Sequence, residues 1–380
     1  MEKANHRFEV LDSWRGICAL IVVLFHLQVY SHFSNSGYQE SCFLFVDFFF
    51  VLSGFVIAAN YRARLADGFG LFRFMLLRLR RVYPLYFTIL AIFIYDEWVG
   101  GLAHPMATPA AFAAPYHSLD TIFANFLMLQ CLGLYSFLSW NVPGWSVATE
   151  FWTYLIFALT AIYLRQYFNI LAMLVLASAL IFLFMFSPHW INVTFDYGMI
   201  RCLAGFSAGT LCWTIWTKWI SKIELSKMAA SLIELLIAAI VILFVGYSAQ
   251  NVYSLLSPLV FSFAVLAFAK EAGLVSTFLK WRPFIFLGTI SFSIYMTHYY
   301  LEQRLHPMVS LLENMFSTSL THLDDSIAPP QVRIGANIWQ GDLWTVFFLV
   351  LVIAFSSMTY YFVEQPARRS SNIMPQTARP

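Results

Sequence analysis

Three titratable residues, His26, Glu150 and His298, are the ones best placed for chemistry, because each interrupts an otherwise apolar stretch. His26 lies inside the first long apolar run, 12–30, eleven residues after Arg15 in the stretch LDSWRGICALIVVLFH (11–26). At ~1.5 Å of rise per residue its imidazole lies ~16 Å deeper than the guanidinium, near the middle of a ~30 Å hydrocarbon layer. Glu150 lies seven residues past Pro143 in PGWSVATEFWTYL, and His298 fourteen past Phe284 in GTISFSIYMTHYY. Those spacings correspond to ~10 Å and ~21 Å, so helices entering from opposite faces bring all three groups to one level. Ionisable groups are costly at that depth and are functional candidates by default. A carboxylate and two imidazoles together make an acid/base site, with His26 and Glu150 as the expected catalytic pair and His298 in support. The competing readings are a packing histidine at 26, a structural network of Glu150 with Trp145 and Ser146, and an interface histidine at 298.

Arginines form a second constellation. FRFMLLRLRRVYPLY (72–86) carries Arg78 and Arg81 at the inner end of an apolar run, and Arg15 faces the same side. Guanidinium groups grip phosphates through paired hydrogen bonds, which suits a cytosolic ligand bearing several phosphates. The same arginines also satisfy the positive-inside rule and attract anionic lipid. Asp12, three residues before Arg15, is placed to cap the helix or to hold that arginine. Weaker signals have packing explanations. Gly144-Trp145-Ser146 lacks the strand-turn-helix context of a nucleophile elbow; Ser53-Gly54 in DFFFVLSGFVIA, and Gly205 with Gly209, read as close helix contacts. Five cysteines without CxxC spacing point to neither a disulfide framework nor a zinc site, so no metal is expected, and HExxH, P-loop and dinucleotide fingerprints are absent.

The elements that must position these groups are membrane helices. Sixty per cent hydrophobic residues, 11% charged residues and a mean hydropathy of +0.70 exclude a soluble core, and a net charge of +2 gives no sign of a nucleic-acid partner. Apolar runs at 12–30, 43–60, 82–99, 143–164, 168–187, 197–217, 228–247, 253–269, 284–301 and 342–363 predict an all-α integral membrane bundle of about ten spans in one domain, 1–363. With both termini cytoplasmic, 19 of 22 Lys and Arg residues fall inside, leaving Arg201, Arg304 and Arg333 outside. Residues 119–139 are expected to form an additional interfacial or re-entrant helix, since a full span there would turn every later basic loop outward. The first run lacks an A-x-A cleavage site and contains Arg15 and His26, so it reads as a retained helix. The long connection 302–341 is expected to cover an opening on the outer face. The Ser-, Pro- and Arg-containing segment 364–380 is expected to be a short disordered cytoplasmic tail.

The same segments carry a family resemblance. LDSWRGICALIVVLFH resembles the arginine-x10-histidine signature of the membrane acyltransferase family 3, bacterial O-acyltransferases of surface carbohydrates. DFFFVLSGFVI, LLRLRRVYPLY, WSVATEFWTYL, GTISFSIYMTH and YYFVEQPARR resemble its later segments, in the family's order. Trp14 and Phe292 depart from the usual pattern. The resemblance implies an acyl-coenzyme A donor, acetyl-coenzyme A in the first instance, on the cytosolic side of a bacterial inner membrane. It implies His26 as the catalytic histidine, Arg15 and Glu150 as its partners, and, more loosely, Arg78, Arg81 and His298 as functional residues, with Ser53, Trp145, Ser146 and Tyr295 in the matching segments. The acceptor would be a hydroxyl of a lipid-linked or surface polysaccharide. Some members carry a soluble hydrolase-like domain after the last helix; here transfer is expected to finish within the membrane domain or to pass to a separate protein. Two rivals remain open: a proton-coupled transporter or flippase, disfavoured by the lack of an internal repeat, and an envelope-assembly scaffold, which accounts poorly for polar groups at one depth.

Overall fold

The computed structural model describes residues 7–103, 110–248, 250–324 and 330–371. Each of the ten apolar runs coincides with a helix. In chain order they are α1 (Glu9–His26), a short α2 (His32–Asn35), α3 (Phe45–Ile57) continuing through a π turn into α4 (Ala63–Ala66), and α5 (Leu71–Ala103). Next come α6 (Leu119–Phe126), α7 (Gly144–Tyr163), α8 (Phe168–Phe186), α9 (Gly198–Lys218), α10 (Lys227–Ser248), α11 (Ser257–Ala269) and α12 (Leu274–Leu279). The chain closes with α13 (Arg282–Phe316), α14 (Ile338–Thr359) and α15 (Gln365–Ser371). Among the described residues, seven helical segments are long and apolar enough to cross a membrane; the other long helices, α1, α9 and α13, carry more polar residues.

Burial sorts the bundle into layers. The segment through α3 is 78% buried, whereas those through α8, α10 and α14 are 22% buried and turn residues such as Phe184, Leu243 and Val350 outward. An apolar outer ring around a more polar centre is the arrangement a bilayer favours. Small residues set the central crossings. A Cβ on Gly16 would stand 2.5 Å from the Gly288 backbone nitrogen, so α1 and α13 touch backbone to backbone. Gly209 likewise lies directly against the Val51 carbonyl, the close approach of α9 and α3 expected from its spacing with Gly205.

Two expectations are corrected, and the long outer connection is defined. Within 119–139 only α6 is helical. Met128 and Gly133 both have positive φ (56° and 72°), which no continuing helix accommodates, and Asn125 and Gln130 are buried as loop anchors. The 302–341 connection is largely structured: α13 runs through Pro307 to Phe316, and an antiparallel hairpin, β1 (Thr321–Asp324) with β2 (Gln331–Ile334), docks on the chain after α1 through Tyr30 N–H donating to the Ile334 carbonyl at 2.8 Å. Of the presumed disordered tail, 364–371 is helical. Glu364 is buried there, accepting from Ser293 Oγ at 2.7 Å and pairing with Arg368. Residues 372–380 lie outside the described residues.

Candidate active site

His26 is the last residue of α1 rather than an interior one. The chain leaves the helix in an extended conformation at Leu27, and Gln39 Nε2 donates to the freed carbonyls of Leu24 and Leu27, each at 2.7 Å. His298 faces it from α13, fully buried, with its Nε2 3.2 Å from His26 Nδ1. The backbone assigns the protons. His26 Nδ1 also lies 3.0 Å from the Val22 carbonyl, and His298 Nδ1 3.2 Å from the Ile294 carbonyl. A carbonyl only accepts, so both Nδ1 atoms carry hydrogen. His298 Nε2 is then a lone pair that accepts from His26 Nδ1–H, and the lone pair of His26 Nε2 has no donor among the described residues. The partly exposed His26 presents this nitrogen as a base, at a helix C-terminus whose dipole favours a cation.

Glu150 does not meet His26. It accepts hydrogen bonds from Ser53 Oγ and from Tyr154 OH, the latter at 2.5 Å. It therefore lines a cavity of about 520 Å³ together with the arginines. The expected catalytic pairing of His26 with Glu150 is thereby corrected. Similar depth by residue counting does not imply contact: Glu150 bonds Ser53 and Tyr154, whereas His26 meets His298. Tyr295 OH bonds Ser146 Oγ at 2.7 Å; because Ser146 spends its own hydrogen on the Pro143 carbonyl at 3.0 Å, the tyrosine is the donor. Its ring lies 5.7 Å from Phe49 and 5.9 Å from His298, so Phe49, Ser146 and Tyr295 close the cavity on the side of the histidines.

At the other end of the cavity stand Arg7, Arg15, Arg78, Arg81 and Arg368. Asp12 holds two of them, at 2.8 Å from Arg7 Nε and 2.9 Å from Arg15 Nη2, which settles its role as a tether rather than a helix cap. The hydrogen bond from Arg7 to Asp12 raises the Arg7 pKa, keeping that guanidinium charged. Arg15 also donates to Ser291 Oγ at 2.9 Å and to the Gly288 carbonyl at 3.1 Å. Arg78 donates to Tyr61 OH at 2.9 Å, yet its Nε is buried with no hydrogen-bond partner among the described residues. A buried, unsatisfied guanidinium N–H is costly, and an anion in the cavity would relieve it.

Residues 8–362 match the family described as an acyltransferase domain, acyltransferase family 3. The chain belongs to that family. It is similar to a putative peptidoglycan O-acetyltransferase, YrhL, of Bacillus subtilis, 24% identical over 391 residues that cover 96% of this chain and 55% of that protein. It is similar also to the O-acetyltransferase OatA of Staphylococcus aureus, 25% identical over 318 residues, 76% of this chain and 49% of that protein. A protein called protein 2 in the picA locus of Rhizobium radiobacter is 33% identical over 151 residues, 38% of this chain and 77% of its own. The chain thus spans about half the length of the two O-acetyltransferases. No solved structure matches it.

The acyltransferase family 3 segments divide unequally over the site. Arg15, Arg78, Arg81, Ser53, Ser146, Glu150 and Tyr295 all line the one cavity, while His26 and His298 pair just beyond it. Trp145 lies elsewhere, edge-on to Phe50 and beneath the Arg201 guanidinium. Phe292, one of the two departures from the family pattern, lines the cavity. Sequence reasoning missed Tyr154, although it sits one helical turn after Glu150 on the same face. It also missed Arg368, which lay in a recognised segment but was consigned to the tail. Arg201, an exception to the basic-inside pattern, is explained by a buried ion pair: its Nε and Nη2 each reach an oxygen of fully buried Asp47 at 2.9 Å.

Proposed function

We propose that the protein is an integral-membrane O-acyltransferase that moves an acyl group, acetyl in the first instance, from acyl-coenzyme A to a carbohydrate hydroxyl. The observation that carries this reading is the five-arginine cavity ending at Tyr295, against a histidine pair in which His26 Nε2 has no donor among the described residues. The donor's phosphates would rest on Arg78 and Arg81, with Arg15 and Arg368 beside them, and its thioester would reach His26 once the Tyr295 side chain turns aside from the closed end of the cavity. The acceptor approaches His26 from the opposite face of the membrane. His26 Nε2 removes the acceptor hydroxyl proton as the oxygen attacks the thioester carbonyl. The C–O bond forms, the C–S bond breaks, and the imidazolium returns its proton to the departing thiolate. Val22 and His298 hold Nδ1–H throughout, so the ring does not turn between the two transfers.

The names of the relatives support acetyl as the group moved and a cell-envelope glycan as the acceptor. The arrangement proposed for the whole chain is ten spans in a bacterial cytoplasmic membrane with both termini on the cytosolic side. Purified protein incubated with radiolabelled acetyl-coenzyme A and candidate envelope glycans tests the reading. Label should enter a glycan with wild type and not with His26→Ala. Solute movement across vesicles without label transfer to any glycan would overturn it in favour of a transporter.

A further inference from the structure

A second cavity, of about 410 Å³, lies among the end of α4, the α7–α8 turn and the last turns of α9, and shares no lining residue with the first. Three cations line it, Arg62, Arg165 and Lys218, and no carboxylate does. None of the three has an acidic partner among the described residues. Arg62 is held in place: its guanidinium lies over the Phe168 ring at 4.2 Å, and Nη1 donates to Thr214 Oγ1 at 2.8 Å. Thr214 in turn donates to Asn169 Oδ1 at 3.0 Å, which turns the amide so that its NH2 remains as a donor. The pocket therefore offers guanidinium, ammonium and amide donors, with no charged acceptor and no internal counter-ion. Exposed Tyr163, Tyr167 and Trp219 flank its lining residues Arg165, Phe168 and Lys218 in the chain, and they are the residue types that mark a membrane–water boundary.

We propose that this cavity binds a phosphate-bearing anion, whose acceptor oxygens match the donor set and whose charge neutralises the three cations. A bilayer places the phosphate of an anionic phospholipid headgroup at this boundary, and a soluble phosphate is the other source of the same chemistry. Either way the ligand ties α4, α8 and α9 together and does not enter the proposed donor site.

Native mass spectrometry and thermal stability of the full chain in detergent, with phosphatidylglycerol, phosphatidylcholine or millimolar inorganic phosphate added separately, test the assignment. Arg165 and Lys218 are exposed, so the double variant Arg165→Gln/Lys218→Gln is expected to fold, and unchanged melting in detergent alone checks that. Wild type should retain and be stabilised by phosphatidylglycerol over phosphatidylcholine. The double variant should lose about 30-fold in that retention, the scale expected for removing two cations from an anionic headgroup, and Arg165→Lys/Lys218→Arg should keep it. Stabilisation by inorganic phosphate alone, lost in the same Gln variant, would support the cavity and assign the soluble source. Equal retention by wild type and the Gln variant, or no preference of wild type for either phosphate probe over phosphatidylcholine, would overturn the proposal.

Discussion

His26 Nδ1 and His298 Nε2 lie 3.2 Å apart where α1 and α13 cross. The contact exists because Gly16 and Gly288 let the two backbones touch lower in the same crossing. The Val22 carbonyl fixes the direction of the proton between the rings, so His298 serves as the acceptor that orients His26.

His298 is accordingly a positioning residue. His298→Ala should lower kcat about 100-fold, the cost of a misaligned reacting group, with donor KM little changed. His298→Gln, whose amide oxygen can still accept from Nδ1–H, should recover part of the loss. A donor KM that rises in both variants with kcat intact would remove the role.

Arg78→Ala and Arg81→Ala should weaken coenzyme A binding, each by about 1.5–3 kcal/mol, as for a charge-assisted hydrogen bond. Lysine should restore only part of it, because an ammonium cannot reproduce the planar fork. Calorimetry or a fluorescent coenzyme A analogue reads this directly. Unchanged affinity in the double alanine variant would assign these arginines to topology or lipid contact.

Because Glu150 faces the arginine cavity and not His26, Glu150→Gln should alter donor KM more than kcat. Tyr295→Phe, which loses only the bond to Ser146, should be milder than Tyr295→Ala, which opens the wall between cavity and histidines. Glu150→Gln kinetics confined to kcat would return the carboxylate to the chemical step.

The Asp47–Arg201 pair is buried on both sides. Asp47→Ala leaves a guanidinium uncompensated and should cost about 3–5 kcal/mol of stability. Thermal melting of the detergent-solubilised variant checks this, and a melting temperature equal to wild type would show the pair to be dispensable.

Cysteine labelling tests the orientation, helped by the burial of all five native cysteines. Ser226→Cys should react from the cytosolic side and Gln331→Cys, on the hairpin, from the outer side. Labelling of both from one face would reject the ten-span arrangement.

The sequence by itself determined where the helices lie and which residues matter. Apolar runs of spanning length have few alternatives in lipid, and a polar residue inside one stands out against the surroundings. Tertiary structure decided who meets whom. Depth along a helix follows from residue counting, but facing depends on rotation about each axis, which is why Glu150 bonds Ser53 and Tyr154 while His26 meets His298. Periodicity did not reveal that α1 ends at His26, because Leu27, Val29 and Tyr30 extend the apolar run and what stops the helix is capping by Gln39 and pairing with a strand some 300 residues away. The fate of 364–371 was hidden for a similar reason: its local composition reads as a tail, and Ser293, brought close by the fold, gives Glu364 a partner from a distant helix in addition to Arg368.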